Sequence, residues 1–111
     1  MRKILVTLYD NYVAPRFDLT TEVFIMSIRN DSYPEDEKTL VLPQASVEKL
    51  CHLIITEGIE TVICGGIEEE YYKYLKWKKV NIIDSVIGTL DTVIKKFMEK
   101  SLKEGDILIN S

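Results

Sequence analysis

Cys64 stands directly before Gly65-Gly66, at the end of a short apolar run that opens after Gly58. A cysteine at the carboxyl end of a buried strand, followed by two glycines and a helix start, is suited to act as a thiolate. A helix N-terminus lowers the pKa of a nearby thiol, and glycines let backbone N–H groups approach an anion. Open α/β sheets bind ligands at that edge. Cys64, Gly65 and Gly66 are therefore the first candidates for a cofactor-binding site, with Cys64 the expected metal ligand. The plainer alternative is a small buried cysteine ending a strand, with glycines that serve a tight turn. Glu68, Glu69 and Glu70 follow in the expected first turn of the helix. There they complement the helix dipole, and they would also repel an anionic cluster or phosphate.

Asp10, Asn11 and Arg16 fall in loops after the first apolar run. If the first and fourth strands are neighbours, these loops lie beside Cys64, so Arg16 and Asn11 join the candidate site. Ordinary turn chemistry is the favoured account of Asp10-Asn11. Cys51-His52 invites a metal reading, but adjacent helical side chains diverge by about 100°. Cys51 is expected in the core and His52 in solvent. Tyr71 and Tyr74 are expected on the core face of the second helix, with Trp77 as a dimer contact. No nucleophile-base pair is visible, so no catalytic residue is assigned and an enzyme is not expected.

The elements that must position these groups follow from periodicity. Residues 3–8 form a strand-like apolar run, and 22–28 a second strand that is apolar on both faces. Residues 29–38 are expected as a solvated hairpin loop, and 39–42 as a short third strand stopped by Pro43. Ser46 has the chemistry of an N-cap. Val47, Leu50, Cys51, Ile54 and Ile55 then recur at helical spacing until Gly58. Residues 59–64 suit a buried parallel strand, and a helix carrying Ile67, Tyr71, Tyr74 and Leu75 starts after Gly65-Gly66. Residues 80–86 form a fifth strand, and Leu90, Val93, Ile94, Phe97 and Met98 mark a third helix over 89–100. The tail, 105–111, is expected to dock Ile107-Leu108-Ile109 as a short extended piece.

Short links between the first three strands imply antiparallel pairing, and helices between the later ones imply right-handed parallel crossovers. The expectation is an α/β fold with a five-stranded mixed sheet in the order 3-2-1-4-5 and helices on both faces, a ribonuclease H-like arrangement. At 111 residues the chain is expected to form one domain over 1–111.

Composition narrows the partners. Eighteen acidic against 14 basic residues give a net charge of −4, which disfavours nucleic acid. No apolar run approaches the ~20 residues of a membrane span, and the N-terminus lacks the features of a signal peptide, so a cytoplasmic location is expected. Two cysteines without a CxxC pair argue against a disulfide framework or a closed zinc site. Carboxylates converging at the fourth strand's end, which a two-metal nuclease needs, are missing where Cys64-Gly65-Gly66 stands.

Three stretches together carry a resemblance: Val13-Ala14-Pro15-Arg16-Phe17-Asp18, the run from Gly58 through Cys64-Gly65-Gly66 to Ile67, and Val86-Ile87-Gly88-Thr89-Leu90. In this order and spacing the chain resembles the small domain of the dinitrogenase iron-molybdenum cofactor family, which includes NifX-like carriers and the C-terminal part of NifB-like proteins. The resemblance implies non-enzymatic binding or carriage of an iron-sulfur or iron-molybdenum cluster, or a related anionic ligand; separately, a monomer or weak dimer is expected. Where the family usually has His-Phe-Gly, this chain has Arg16-Phe17-Asp18. Arginine cannot donate a lone pair to a metal, so its role there would be electrostatic. The alternative is a protein-interaction or regulatory module that kept the fold and lost the ligand.

Overall fold

The computed structural model describes residues 2–29 and 33–108. Among the described residues, four strands precede the first helix, and two further strands then alternate with two more helices. The strands are β1 Arg2–Tyr9, β2 Tyr12–Val13, β3 Glu22–Arg29, β4 Tyr33–Val41, β5 Thr61–Ile63 and β6 Asn81–Ile83. The helices are α1 Val47–Thr56, α2 Glu69–Trp77 and α3 Leu90–Met98, and a 3-10 turn spans Phe17–Leu19. All strands join one mixed sheet whose path runs β4-β3-β1-β5-β6, with β2 beside β1. β1 is antiparallel to β2 and β3 and parallel to β5, which is in turn parallel to β6.

β1 is central, so it is apolar on both faces. Ile4, Val6 and Leu8 pack with Phe24, Met26, Ile28 and Ile63 under α3, which contributes Val93. Leu5 packs with Val23, Ile25, Val62 and Ile82 under α1 and α2, which contribute Leu50, Ile54 and Leu75. Two helices thus cover one face and one helix the other. α1 starts where Ser46 caps it, its side chain accepting from the Lys49 N–H at 3.3 Å, and the chain leaves through Gly58 at φ +69°. α3 is capped in the same way by Thr89, which accepts from the Thr92 N–H.

Several boundaries differ from the expectation. The sheet has six strands instead of five, because Tyr12–Val13 forms a two-residue strand too short to show any period. Within the stretch expected as a loop, residues 33–38 belong to β4; residues 30–32 lie outside the described residues. β4 tolerates Pro34 and a run of charges because it is an edge strand, and charged edges discourage pairing with other chains. Ser27 faces Asp36 while Ile28 faces Pro34, so Glu35 is the extra residue of a bulge. α2 begins only at Glu69, with Glu68 as its N-cap residue, and Tyr74 is 41% exposed instead of facing the core. The tail does dock: Ile107 pairs in parallel with Ile87, while Ile109 lies outside the described residues.

Candidate functional site

The carboxyl ends of β1, β5 and β6 lie side by side, and in the sheet β3, the next long strand after β1, lies on one side of the β1-β5 pair while β6, the next strand after β5, lies on the other. A crevice is expected at such a switch point. After β1 the chain reverses through Asp10 (φ 50°) and Asn11 (φ 73°), with Tyr9 and Tyr12 as the closing pair. Two successive left-handed residues make a tight two-residue hairpin, a conformation that Asp and Asn tolerate better than most. The hairpin is then tied across the fold. The Val13 N–H donates to the Gly88 carbonyl and the Leu90 N–H to the Asn11 carbonyl, both at 2.9 Å.

The Gly65-Gly66 turn meets the segment that follows this hairpin. The Gly66 N–H donates to the Pro15 carbonyl and the Phe17 N–H to the Gly66 carbonyl, both at 2.8 Å. A Cβ on Gly65 would lie 2.3 Å from the Ala14 oxygen. Gly65 is therefore required by close backbone packing, and the Gly66 N–H is committed to that pairing instead of facing an anion.

Cys64 is fully buried. Its N–H donates to the Ile83 carbonyl and its carbonyl accepts from the Val86 N–H, both at 3.1 Å. Burial pushes its thiol up to about 12, and the negative charge of Asp84 adds to the shift. This is the opposite of the lowered value expected from a helix N-terminus, since residues 65–68 intervene before α2 and the dipole acts only near the first turn. The side-chain oxygen of Asp84 is held by the Ser85 hydroxyl at 3.0 Å.

Arg16 is brought to the Gly65-Gly66 turn by its backbone, which pairs in parallel with Gly66. Its guanidinium goes elsewhere, making two parallel hydrogen bonds to Asp18: Nε to Oδ1 at 3.1 Å and a terminal nitrogen to Oδ2 at 2.6 Å. The arginine charge is thus neutralised at the surface, beside a small cavity of about 220 Å³ that Leu19 and Thr20 also line. Asn11 serves the hairpin.

Between the hairpin, the glycine turn and residues 85–88 lies a cleft of about 650 Å³. Its walls are Tyr9, Asp10, Tyr12, Pro15, Val86 and Ile87, with Gly65, Gly66 and Ser85 also contributing. Tyr9 is 70% exposed and Tyr12 55%, and Ser85 holds a left-handed φ of 59°. Of the sequence candidates, Gly65 and Gly66 line this cleft. Cys64 does not line it and is buried in the core under α1 and α2, and Arg16 lines the neighbouring cavity. Tyr9, Tyr12, Ser85 and Ile87 were missed. The Asp10-Asn11 pair between two tyrosines was the available signal, since it predicts a tight hairpin that presents both rings together.

A second groove, of about 560 Å³, runs between α1 and α2 and is lined by Cys51 and His52 with Glu48, Glu70 and Tyr71. Cys51 is buried, its thiol pushed up to about 11 by that burial, and His52 is exposed. Among the described residues, no group of three or more His, Cys, Asp and Glu side chains is placed to hold a metal ion. No helix among the described residues is long and apolar enough to cross a membrane.

A family model described as dinitrogenase iron-molybdenum cofactor matches residues 2–100. A search of curated proteins finds no match. Among solved structures, the protein PH0822 superposes with a TM-score of 0.83 at 19% identity, covering 92% of this chain and 93% of its own. A candidate dinitrogenase from Methanocaldococcus jannaschii gives 0.73 at 24% identity, covering 92% of each chain. A candidate NifB protein from Thermotoga gives 0.73 at 18% identity, covering 100% of this chain and 99% of its own. At these identities the likeness shows a shared fold.

Proposed function

We propose that this chain, which belongs to the dinitrogenase iron-molybdenum cofactor family, is a non-enzymatic cytoplasmic binding domain with a ribonuclease H-like sheet. Its ligand sits in the cleft between the Asp10-Asn11 hairpin, the Gly65-Gly66 turn and residues 85–88. The observation that carries the proposal is the position of this cleft at the switch point of the sheet. Its size falls within the range of about 300–1,000 Å³ typical of small-molecule sites. Asp10, Asn11 and Ser85 hold left-handed conformations around it, and such backbone conformations cluster at ligand sites.

The family description implies an iron-sulfur or iron-molybdenum cluster as cargo. Iron clusters are held by thiolates and imidazoles. The cleft offers a carboxylate, a hydroxyl and two phenols, and the Cys64 thiol is fully buried and does not line it. This donor set does not fit a cluster ligated by the chain itself, and Cys64 is not assigned as a ligand. An anaerobic titration with a preformed iron-sulfur cluster, read by iron analysis and amide NMR, tests the assignment. No stoichiometric iron uptake is expected, and the amides are expected to behave alike in the unsubstituted chain and in Cys64→Ala. Stoichiometric iron uptake abolished by Cys64→Ala would place the site at the thiol and overturn the proposal.

A protein-interaction role is supported by a separate feature of α2. Trp77 is 73% exposed, its ring centroid lies 6.3 Å from that of Tyr74, and Lys78 Nζ sits 4.8 Å above it. Exposed tryptophan and tyrosine are frequent anchors of interfaces. If a weak dimer forms there, Trp77→Glu will abolish self-association in sedimentation at high protein concentration. Association unchanged by that substitution would remove α2 from the account.

A further inference from the structure

The charge of the cleft specifies what it can hold, and the inference drawn from it rests on the cleft being the ligand seat. Among the described residues that line it, Asp10 alone is charged, and no lysine, arginine or histidine is present. Arg16 does not line it and is ion-paired with Asp18. Asp84, next to the lining residue Ser85, adds a second carboxylate nearby, and the chain as a whole carries −4. The remaining walls are apolar, with two exposed tyrosine rings at the mouth. Tyrosine faces attract cations, a nearby carboxylate reinforces that attraction, and both repel anions.

We infer that the cleft takes a small organic cation with an apolar body, such as an alkylated or aromatic ammonium. The faces of Tyr9 and Tyr12 hold it, with the Asp10 carboxylate as counter-charge. Pro15, Val86 and Ile87 cover the apolar part of the ligand, and the Gly65-Gly66 turn forms a floor without side chains. An anionic cluster or phosphate is excluded by the same charges.

Amide NMR of the full chain tests this with three probes of similar size: benzyltrimethylammonium, benzyl alcohol and phenyl phosphate. The cation is expected to shift residues 9–13, 65–66 and 85–88 at the lowest concentration. Asp10→Asn, which keeps the left-handed turn because asparagine adopts it readily, is expected to weaken that binding by about threefold or more. Tyr9→Ala is expected to weaken it by a comparable factor. If phenyl phosphate shifts the same amides as well or better, the cation assignment falls while the cleft stands as the ligand seat. If benzyl alcohol binds as tightly as the cation, or Asp10→Asn leaves the cation's affinity unchanged, selection by charge is refuted. If none of the three shifts the cleft amides, the inference and the ligand seat fall together.

Discussion

A methyl group on Gly65 would lie 2.3 Å from the carbonyl oxygen of Ala14 and 2.7 Å from that of Pro15. Neither oxygen can retreat cheaply. Ala14 is tied to β1 by its N–H on the Thr7 carbonyl at 2.8 Å, and the Pro15 carbonyl already accepts from Gly66. Gly65→Ala is therefore expected to destabilise the protein by about 3 kcal/mol, the upper end of overpacking costs. At Gly66 the nearest contact is 3.3 Å, so Gly66→Ala should cost only about 1 kcal/mol. Urea unfolding of both variants separates the cases, and equal losses would contradict the packing account.

Cys64 and Cys51 make an alkaline prediction. Their thiols rise from 9.0 to about 12 and about 11, in each case chiefly because burial disfavours the thiolate. A raised value means that the native state keeps a proton the unfolded chain gives up. The associated stabilisation is complete below pH 9, and it is lost as pH rises toward 11 for Cys51 and 12 for Cys64. Unfolding midpoints should fall over that window, and less steeply in Cys64→Ala. In the native protein at about pH 8 neither thiol should react with a disulfide reagent until urea is added. Prompt labelling of native Cys64 would show that it is not buried.

How much of this was legible in the sequence depended on the length and burial of each element. β1, β3 and the helices were legible because their apolar spacing is long and one-sided or fully buried, and Ser46 and Gly58 mark α1 by cap chemistry alone. β4 was shortened because Glu35, Asp36, Glu37 and Lys38 have loop composition. An edge strand with one free margin tolerates those charges, and single-strand patterning cannot reveal it. At Gly65-Gly66 the sequence leaves two readings open, an anion cradle and a tight turn. Glycine beside a cysteine suggests an anion cradle, whereas the need here is for Ala14 and Pro15 to approach, a contact between segments roughly fifty residues apart. The tyrosines of the cleft were missed because each is an isolated residue at a strand end, and only the hairpin brings them together.

Thr7 presents the reverse case, a polar group where an apolar one would serve. Its side chain is fully buried in the central strand, and its hydroxyl oxygen has no hydrogen-bond partner among the described residues. A buried hydroxyl without a partner carries its desolvation cost uncompensated. Valine has nearly the same shape and a higher strand propensity. Thr7→Val should stabilise the protein by about 1 kcal/mol, seen as a higher urea midpoint with an unchanged slope. A loss of stability would mean that the hydroxyl has a partner, such as a buried water.

Asn11 separates a turn role from a ligand role. Its φ of 73° is left-handed, and its carbonyl accepts from the Leu90 N–H at 2.9 Å, so it links the hairpin to the start of α3. Both duties belong to the backbone. Alanine resists the left-handed region by about 1–2 kcal/mol, whereas glycine enters it freely. Asn11→Ala should therefore destabilise by about 1 kcal/mol and Asn11→Gly should leave stability unchanged or raise it, since Asp-Gly is a favoured pair for this hairpin. Binding of a probe in the cleft gives the second axis. If Asn11 acts through the turn, Asn11→Gly keeps the affinity of the wild-type chain. If the side-chain amide touches the ligand, Asn11→Gly loses affinity while stability holds, and Asn11 returns to the binding site.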